Sequence, residues 1–273
     1  MSLCFLPPTA NFYLRNDLNG QRPVLAVVAH QDDVEIMGVP HTCDGRPIVA
    51  VVLTSGANSP RTGEYANVTP EEMAQIRLEE QKRAADLGNY ACVIQLGYDS
   101  AAIKGLAPEA THVVEQILNY FNPEVLWTHH PFDKHPTHVA SFTMVHRAIQ
   151  SLTSANRPLP TKWLGGEVWG EIGSIHPDYL QFREILDGEQ AQRRLIEVFA
   201  SQIQGGKNYV DGTLGRRRSA ATFRDSHGVD TCKFALLAVI LDELLVDPTL
   251  DPAQWLCGVM THSANLMAAR VPV

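Results

Sequence analysis

The chain contains 273 residues, of which 45% are apolar, and its formal net charge is −8 at pH 7. A chain of this length and composition can bury a core without disulfides, and it can form one large α/β domain or two small ones. The acidic balance argues against a protein that binds nucleic acids or anionic membranes, because such proteins cluster Lys and Arg.

The five cysteines are widely spaced and include no C-x-x-C motif, which excludes a cysteine zinc finger and a dense disulfide framework. This cysteine usage fits a reducing compartment. The N-terminus lacks the basic and apolar regions of a signal peptide, and no apolar stretch reaches the roughly 18 residues of a membrane span. We therefore expect a soluble, cytoplasmic protein.

Short apolar runs alternate along the chain with segments of helical periodicity. The runs are rich in β-branched residues, which is typical of strands buried on both faces of a parallel sheet. Start and stop signals, Thr69-Pro70 and Gly88, delimit the first long helix. In chain order we predict strands at 24–29, 47–54, 91–96 and 124–128, helices at 70–87, 109–121 and 139–152, then a strand at 163–169 and helices at 190–202 and 234–245.

Strands that alternate with helices predict an α/β fold with a mostly parallel sheet. The sequence contains no internal repeat, no low-complexity segment and no linker between two halves. We therefore expect a single domain over residues 1–273, with a C-terminal extension from about residue 205.

Polar residues follow the first predicted strand, where His30, Asp32 and Asp33 lie close together in sequence. In open parallel sheets, ligands bind at the carboxyl ends of the strands. No glycine-rich dinucleotide fingerprint follows this strand, and two adjacent carboxylates would repel a pyrophosphate. These residues favour a divalent cation, although an Asp at this position can also serve only as a helix cap.

A second polar cluster follows the fourth predicted strand. Four histidines lie within ten residues there, at positions 129, 130, 135 and 138. A lone histidine is usually an ordinary core or surface residue, whereas four together at a strand end indicate a site. His135 and His138 are three residues apart, so both can face one site where a helix begins.

Taken together, the two clusters offer His30, Asp33 and His138 as metal ligands. Three protein ligands leave positions open for water and substrate, as in catalytic zinc sites, whereas a structural site would use four. Asp32 can then act as general base, and His135 can donate a proton or stabilise an oxyanion. Two histidines and one carboxylate also describe a non-haem Fe(II) oxygenase site, so these residues alone leave the metal open.

The motifs resemble those of a known family, the PIG-L/LmbE-like zinc-dependent N-deacetylases. AHQDDVE at 29–35 is similar to the family signature A-H-P-D-D-x-E, and HPFDKHPTH at 130–138 is similar to P-x-D-x-H-P-D-H. The segment that begins at Arg77 resembles the family's R-x-x-E helix. Ser201 and Gln202 resemble a Ser-Gln segment near its C-terminal helix.

This resemblance implies a Rossmann-like α/β fold with helices on both faces of the sheet. It implies a Zn²⁺-dependent hydrolase that removes an N-acetyl group from an amino-sugar conjugate. The roles it implies are zinc binding by His30, Asp33 and His138, a base at Asp32, an acid or oxyanion donor at His135, and Asp133 as the support of His135.

Two positions depart from the family pattern. Gln31 replaces the usual Pro, and we expect this change to loosen the turn without removing a catalytic group. Thr137 replaces the usual Asp, and we expect one hydrogen-bond acceptor beside the site to be lost.

A basic run, Arg216-Arg217-Arg218, is followed by Arg224 and His227. These residues can form a pocket for a carboxylate or phosphate of the substrate, because Arg binds such groups bidentately. The alternative is a solvated surface, or ion pairs with the protein's own carboxylates. Arg61, in the long loop after the second strand, is a further candidate for a substrate contact.

Two classes of enzyme therefore remain, an amidohydrolase and a hydratase or lyase that acts on an anionic small molecule. The second is kept because the family scaffold is also found with a hydration activity. Release of acetate from an N-acetylated sugar distinguishes the two classes. We expect a small-molecule partner and no nucleic acid, and a homo-oligomer is compatible with the sequence.

Overall fold

The computed structural model describes residues 3–170, 172–185, 188–222, 224 and 227–272. Its strands are β1 (Asn11–Leu14), β2 (Val24–Val28), β3 (Ile48–Thr54), β4 (Cys92–Tyr98), β5 (Val125–Thr128), β6 (Lys162–Gly166), β7 (Leu180–Glu184) and β8 (Ala235–Ile240). Its α-helices are α1 (Asp33–Met37), α2 (Pro70–Leu87), α3 (Ser100–Lys104), α4 (Pro108–Phe121), α5 (Pro136–Ser154), α6 (Gly188–Glu197), α7 (Ala200–Ile203), α8 (Tyr209–Ala221), α9 (Glu243–Val246) and α10 (Pro252–Ala268).

The strands form one sheet in the order β1-β4-β3-β2-β5-β6-β8-β7. The five strands from β4 to β6 are parallel, β1 is antiparallel to β4, and β8 is antiparallel to β6 and β7. The chain passes from β2 outwards to β3 and β4 and then returns to place β5 on the other side of β2. This reversal makes the β2–β5 boundary the topological switch point, where open α/β sheets bind ligands.

Helices cover both faces of the sheet, as predicted. Residues of β2 alternate between two cores, with Leu25 and Val27 in one core and Val24, Ala26 and Val28 in the other. The first core includes side chains of α4, α5 and α10, and the second includes side chains of α1, α2, α6 and α8. The switch point is therefore held by strands that are buried on both sides.

The predicted elements up to residue 152 are all present, with small shifts at their ends. Beyond them, the strand near residue 163 is confirmed, and the helix predicted at 190–202 is interrupted between α6 and α7. The helix predicted at 234–245 is wrong, because residues 235–240 form β8, which pairs with β6 and β7. A short run of apolar residues without polar alternation fits a buried strand and a buried helix equally well. The prediction also missed β1, β7, the short helices α1 and α3, and the longer helices α8 and α10.

The C-terminal part of the chain contributes to this sheet, since β8 lies between β6 and β7. Throughout the described ranges, every helix is too short or too polar to cross a membrane.

Replacement of Leu25 by Ala should lower the free energy of unfolding by about 2–5 kcal/mol, because it opens a cavity in a fully buried strand. Leu14→Ala is the matched control, since Leu14 lies on the edge strand and is 46% exposed. Chemical denaturation monitored by circular dichroism measures both effects. Equal losses in the two variants would contradict the assignment of β2 to the centre of the sheet.

Candidate active site

Two turns at the carboxyl edge of the sheet meet beside the switch point. The first connects β2 to α1, and the second connects β5 to α5. The backbone N–H of Ala29 in the first turn donates a hydrogen bond of 3.0 Å to Nε2 of His129 in the second turn. The two polar clusters of the sequence therefore lie in direct contact.

Asp32 occupies an unusual backbone conformation, with φ at +88° immediately before α1. Residues other than glycine rarely adopt this left-handed region, and Asp and Asn are the ones that tolerate it best. Surrounding contacts hold the turn, since the Asp32 N–H donates to the side chain of Gln81, and Gln31 donates to Gln95 and to the carbonyl of Thr54. Gln31 thus anchors the turn to β3 and β4, and the expected loosening is wrong.

The three predicted metal ligands converge. His30 Nδ1 lies 3.0 Å from His138 Nε2 and 3.5 Å from Oδ2 of Asp33, while Oδ1 of Asp33 lies 3.5 Å from His138 Nε2. Two ring nitrogens that face each other across 3.0 Å cannot both carry a proton, so at least one presents a lone pair. Imidazole nitrogens and a carboxylate around one point are the donors that a divalent transition metal prefers. Half-buried His30 and the buried Asp33 and His138 therefore fit a metal ion.

Two overlapping sets of side chains have ligand atoms close enough to hold a metal ion. One set contains His30, His135 and His138, and the other contains Asp33, His129 and His138. The ring of His129 stacks on that of His138 at 3.8 Å, and its Nε2 lies 3.2 Å from Asp33. His138 belongs to both sets, which makes it the central residue of the cluster. His129 was not predicted to take part, although it belongs to the histidine cluster of the sequence.

Burial and charge set the protonation states within the cluster. Burial lowers the pKa of His138 to about 4, so its ring is neutral near pH 7. Burial by itself would raise the pKa of Asp33, but the neighbouring imidazoles of His138 and His129 hold it well below its usual range. A neutral ring and an ionised carboxylate are the states in which these side chains bind metals.

Asp133 supports a different group from the one expected. Its Oδ2 lies 3.1 Å from Nδ1 of His138, and its Oδ1 accepts the backbone N–H of His135 at 2.8 Å. The carboxylate therefore orients the ring of His138 and only the backbone of His135. A carboxylate on the far nitrogen of a ligating histidine fixes the tautomer and the direction of the ring.

His135 is the N-cap of α5, and its Nδ1 accepts the backbone N–H of Thr137 at 3.3 Å. When Nδ1 accepts a hydrogen bond in a neutral ring, the proton is on Nε2. Burial lowers the pKa of His135 to about 4, which agrees with a neutral ring. His135 therefore offers an N–H donor, and the backbone at Thr137 sets this tautomer whichever side chain that residue carries.

A buried ion-pair network lies behind Asp32. Nη2 of Arg77 donates to Oδ2 of Asp32 at 2.8 Å, and Nη1 donates to Glu80 at 3.2 Å. Glu80 in turn accepts the backbone N–H and the hydroxyl of Ser201, each at 2.7 Å. Burial raises the pKa of Asp32 to about 6, although Arg77 opposes this shift. The Arg77 and Ser201 segments that resemble the family therefore meet in one network behind the site.

A cavity of about 530 Å³ opens over these side chains. Trp169 forms part of its wall, with its ring centroid 6.3 Å from that of His135 and 6.1 Å from that of Tyr209. The described lining residues are His30, Asp32, Asp33, Ile36, Asn58, Ser59, Pro60, Arg77, Ser100, Lys104, Lys134, His135, Pro136, Thr137, Val168, Trp169, Gln202, Lys207 and Tyr209.

The arginine run does not form a common pocket. Arg216 donates to the carbonyl of Val168, buried Arg217 donates to the carbonyl of Ile36, and Arg218 forms an exposed ion pair with Glu189. All three lie on α8, where consecutive residues point about 100° apart, so they cannot face one ligand. The expectation of a shared anion site is thereby corrected.

The remaining predicted substrate contacts are not among the described residues that line the cavity. The guanidinium of Arg224 lies 3.4 Å above the ring of Phe182, and His227 is exposed. Arg61 donates to the carbonyl of Ala57 at 2.6 Å within its own loop. Sequence analysis did not assign several residues that line the cavity, among them Lys104, Lys134, Trp169, Lys207 and Tyr209. Lys134 lies within the second motif, but at a position with no metal or catalytic signal, and the other four lie singly in ordinary stretches of sequence.

Comparison with known proteins confirms the resemblance predicted from the motifs. Residues 25–149 match the sequence model of the PIG-L family, described as GlcNAc-PI de-N-acetylase. A probable N-acetyl-alpha-D-glucosaminyl L-malate deacetylase 2 of Bacillus anthracis is 26% identical over 147 residues, or 52% of this chain. That alignment spans 65% of the relative's own length.

Solved structures share the fold. The N,N'-diacetylchitobiose deacetylase from Pyrococcus horikoshii superposes with a TM-score of 0.63 at 18% identity, covering 85% of this chain and 88% of that one. GalB, a 4-carboxy-2-hydroxymuconate hydratase from Pseudomonas putida, gives a TM-score of 0.59 at 17% identity, covering 81% and 96%. At these identities the likeness establishes the architecture alone.

The different surroundings of Arg217 and Arg218 yield a prediction. Arg217→Ala should lower the free energy of unfolding by roughly 2–4 kcal/mol, because it leaves a void and an unpaired buried carbonyl at Ile36. Arg218→Ala should leave stability almost unchanged, since its ion pair is exposed. Denaturation curves of the two variants measure the contrast, and a large loss for Arg218→Ala alone would contradict it.

Proposed function

We propose that this chain is a metal-dependent hydrolase that removes an N-acetyl group from an amino-sugar conjugate. The observation that carries the proposal is the convergence of His30, Asp33 and His138 beside a buried carboxylate, Asp32, at the base of one cavity. Hydrolysis of an amide needs a polarised carbonyl, an activated water and a proton acceptor. A metal ion held by these ligands would supply the first two, and Asp32 would supply the third.

The family and its relative support a deacetylase over a hydratase. The matching family is described by a de-N-acetylase activity, and the relative from Bacillus anthracis is named as a probable deacetylase of a glucosaminyl malate. The hydratase GalB shares the fold, so the architecture alone does not separate the two activities. Both supporting names concern an acetamide on a glucosamine, and we assign that substrate class to this chain.

We assign zinc to the cluster of His30, Asp33 and His138, with Asp133 as the residue that orients His138. Nitrogen and oxygen donors with open positions for water and substrate suit zinc. When bound, zinc supplies a Lewis acid and promotes the ionisation of water near neutral pH. The two histidines and the carboxylate would hold the ion at the base of the cavity.

Asp32 is the residue that we assign as general base. Its carboxylate lines the cavity and lies next to the ligand Asp33 in sequence, while Arg77 fixes one of its oxygens at 2.8 Å. A fixed carboxylate can accept the proton of a water that attacks the amide carbonyl, and it can then deliver that proton to the leaving amine. Arg77 and the strained turn hold this carboxylate in place without a rearrangement during turnover.

His135 is the residue that we assign to the oxyanion. Thr137 fixes its proton on Nε2, so a neutral N–H can donate to the oxygen of the tetrahedral intermediate. Its ring lies 5.0 Å from that of His30, on the cavity side of the cluster. The donor therefore stands beside the position where the amide oxygen would bind.

The experiment that tests the function is a screen of the zinc-loaded protein against N-acetylglucosamine, diacetylchitobiose and an N-acetylglucosaminyl malate. Acetate and free amine should appear in equal amounts. Oxygen-dependent turnover of a substrate by the iron-loaded protein, with no acetate released by the zinc-loaded protein, would favour an Fe(II) oxygenase. Two histidines and one carboxylate are also the ligands of that class of enzyme. Absence of acetate together with hydration of an unsaturated carboxylic acid would favour the hydratase.

Loss of one ligand should remove the metal. His138→Ala should lower zinc affinity by more than about 100-fold, because it deletes the residue shared by both candidate sets. Loss of a residue that is only hydrogen-bonded to a metal ligand costs roughly 10–100-fold, and loss of a ligand itself should cost more. His112→Ala is the control, since His112 is an exposed residue of α4. Competition with a chromogenic chelator measures the zinc affinity. Unchanged zinc binding in His138→Ala would contradict the assignment of His138 as a metal ligand.

Removal of the base should separate binding from turnover. Asp32→Asn should retain zinc but lower kcat by about 10²–10⁴-fold, because the Asn side chain cannot accept a proton from the attacking water. Asp178→Asn, on an exposed turn, should leave kcat unchanged. Initial rates and bound zinc are measured on the same samples, and a variant that loses zinc yet keeps its turnover per bound ion would show that Asp32 is a ligand.

A further inference from the structure

Lysine side chains are concentrated at the cavity. The chain contains six lysines, Lys82, Lys104, Lys134, Lys162, Lys207 and Lys233. Three of them, Lys104, Lys134 and Lys207, line the cavity above the metal cluster. Half of the lysines therefore line one cavity, although the chain as a whole carries a formal charge of −8. This uneven distribution of positive charge favours an anionic ligand in the cavity.

The three lysines come from separate parts of the fold. Lys104 ends α3, Lys134 lies in the turn between β5 and α5, and Lys207 precedes α8. In the part of the chain that the structure describes, no carboxylate lies within 4.0 Å of their amino groups, whereas Lys82 is paired with Glu79 at 2.9 Å. Their charges are therefore available to a ligand.

The acidic groups of the cavity do not neutralise this charge. Among the described lining residues the carboxylates are Asp32 and Asp33. Asp32 is paired with Arg77, and Asp33 is surrounded by the imidazoles of the metal cluster. Both carboxylates are thus paired with other side chains and form no ion pair with the three lysines.

Trp169 connects the lysines to the reacting end of the site. The amino group of Lys207 lies 5.0 Å from the ring centroid of Trp169, and that ring is 6.3 Å from the ring of His135. Trp169 is 37% exposed, so a sugar ring can pack on it. A substrate whose acetamide reaches His135 would cross Trp169 and place its next substituent near Lys207.

We propose that Lys104, Lys134 and Lys207 form an anion-binding rim, and that the substrate carries a carboxylate or phosphate group beyond its acetamide. This inference rests on the proposed deacetylase function for the acetamide end only. Lysine ammonium groups bind either oxyanion as point charges, and three of them tolerate a flexible or branched anionic group. The lysine rim would thus bind the substrate's anionic group, the role expected from the sequence for Arg216-Arg217-Arg218.

Steady-state kinetics on three matched substrates test the rim. The substrates are methyl N-acetylglucosaminide, which is neutral, N-acetylmuramic acid, which adds a carboxylate, and N-acetylglucosamine 1-phosphate. Each of Lys104→Gln, Lys134→Gln and Lys207→Gln should raise KM for the better anionic substrate by about two- to fivefold, with KM for the neutral one unchanged. The preferred anion distinguishes a carboxylate from a phosphate source.

Controls separate charge from structure. Lys233→Gln removes an exposed lysine that lies outside the cavity lining, and it should leave every KM unchanged. Lys134→Arg keeps the charge and should restore most of the affinity that Lys134→Gln loses. Added salt should weaken binding of the anionic substrates in the wild type and much less in the triple Gln variant, since exposed charges are screened.

Calorimetric titration of the zinc-loaded wild type and triple variant with N-acetylmuramic acid and N-acetylglucosamine 1-phosphate provides a readout that needs no turnover. Lysine-dependent binding without acetate release from any substrate would support the rim and overturn the proposed activity. Equal kcat/KM of the wild type for neutral and anionic substrates would overturn the rim. Equal changes of KM for both kinds of substrate in the Gln variants would do the same. Neither result would contradict the proposed deacetylase activity. Failure of both ligands to bind would also overturn the rim.

Discussion

The parallel pairing of β2 with β5 is the constraint on which the site depends. The register Val24 to Val125 through Val27 to Thr128 brings the ends of the two strands to the same edge of the sheet. The turns that follow lie about 100 residues apart in sequence and are joined directly by the hydrogen bond from Ala29 to His129. The candidate metal site takes His30 and Asp33 from the first turn and His138 from the helix after the second, so a shift of this register would separate its ligands.

The second requirement is a partner for the buried charge at Asp32. A carboxylate withdrawn from water is costly unless it is paired and hydrogen-bonded. Arg77 supplies that pair, Glu80 balances Arg77, and Ser201 satisfies Glu80, so the network runs from the base of the cavity through α2 to α7. The geometry of the Asp32 carboxylate is in this way held by a segment that lies more than a hundred residues further along the chain.

The sequence predicted the elements and residues whose signals are local. Caps and β-branched runs located the strands β2 to β5 and the helices α2, α4 and α5, and the two histidine and aspartate clusters identified the side chains that converge at the switch point. The strand β8 was mistaken for a helix because a continuously apolar run carries no periodicity. The partner of Asp133 could not be predicted either, since His135 and His138 lie close to it in sequence and only the turn geometry selects the ring of His138.

Arginines and lysines show why clustering in sequence differs from clustering in space. Arg216, Arg217 and Arg218 are adjacent in the chain, but the helix turns each towards a different neighbour, and backbone carbonyls or Glu189 occupy their donors. Lys104 and Lys207 are about a hundred residues apart, yet they line the same cavity. The three lysines of the cavity form no ion pair with a described carboxylate, and that difference from Arg218 exists only after the chain has folded. A sequence can therefore indicate candidate metal ligands before it indicates which charged side chains remain open to a substrate.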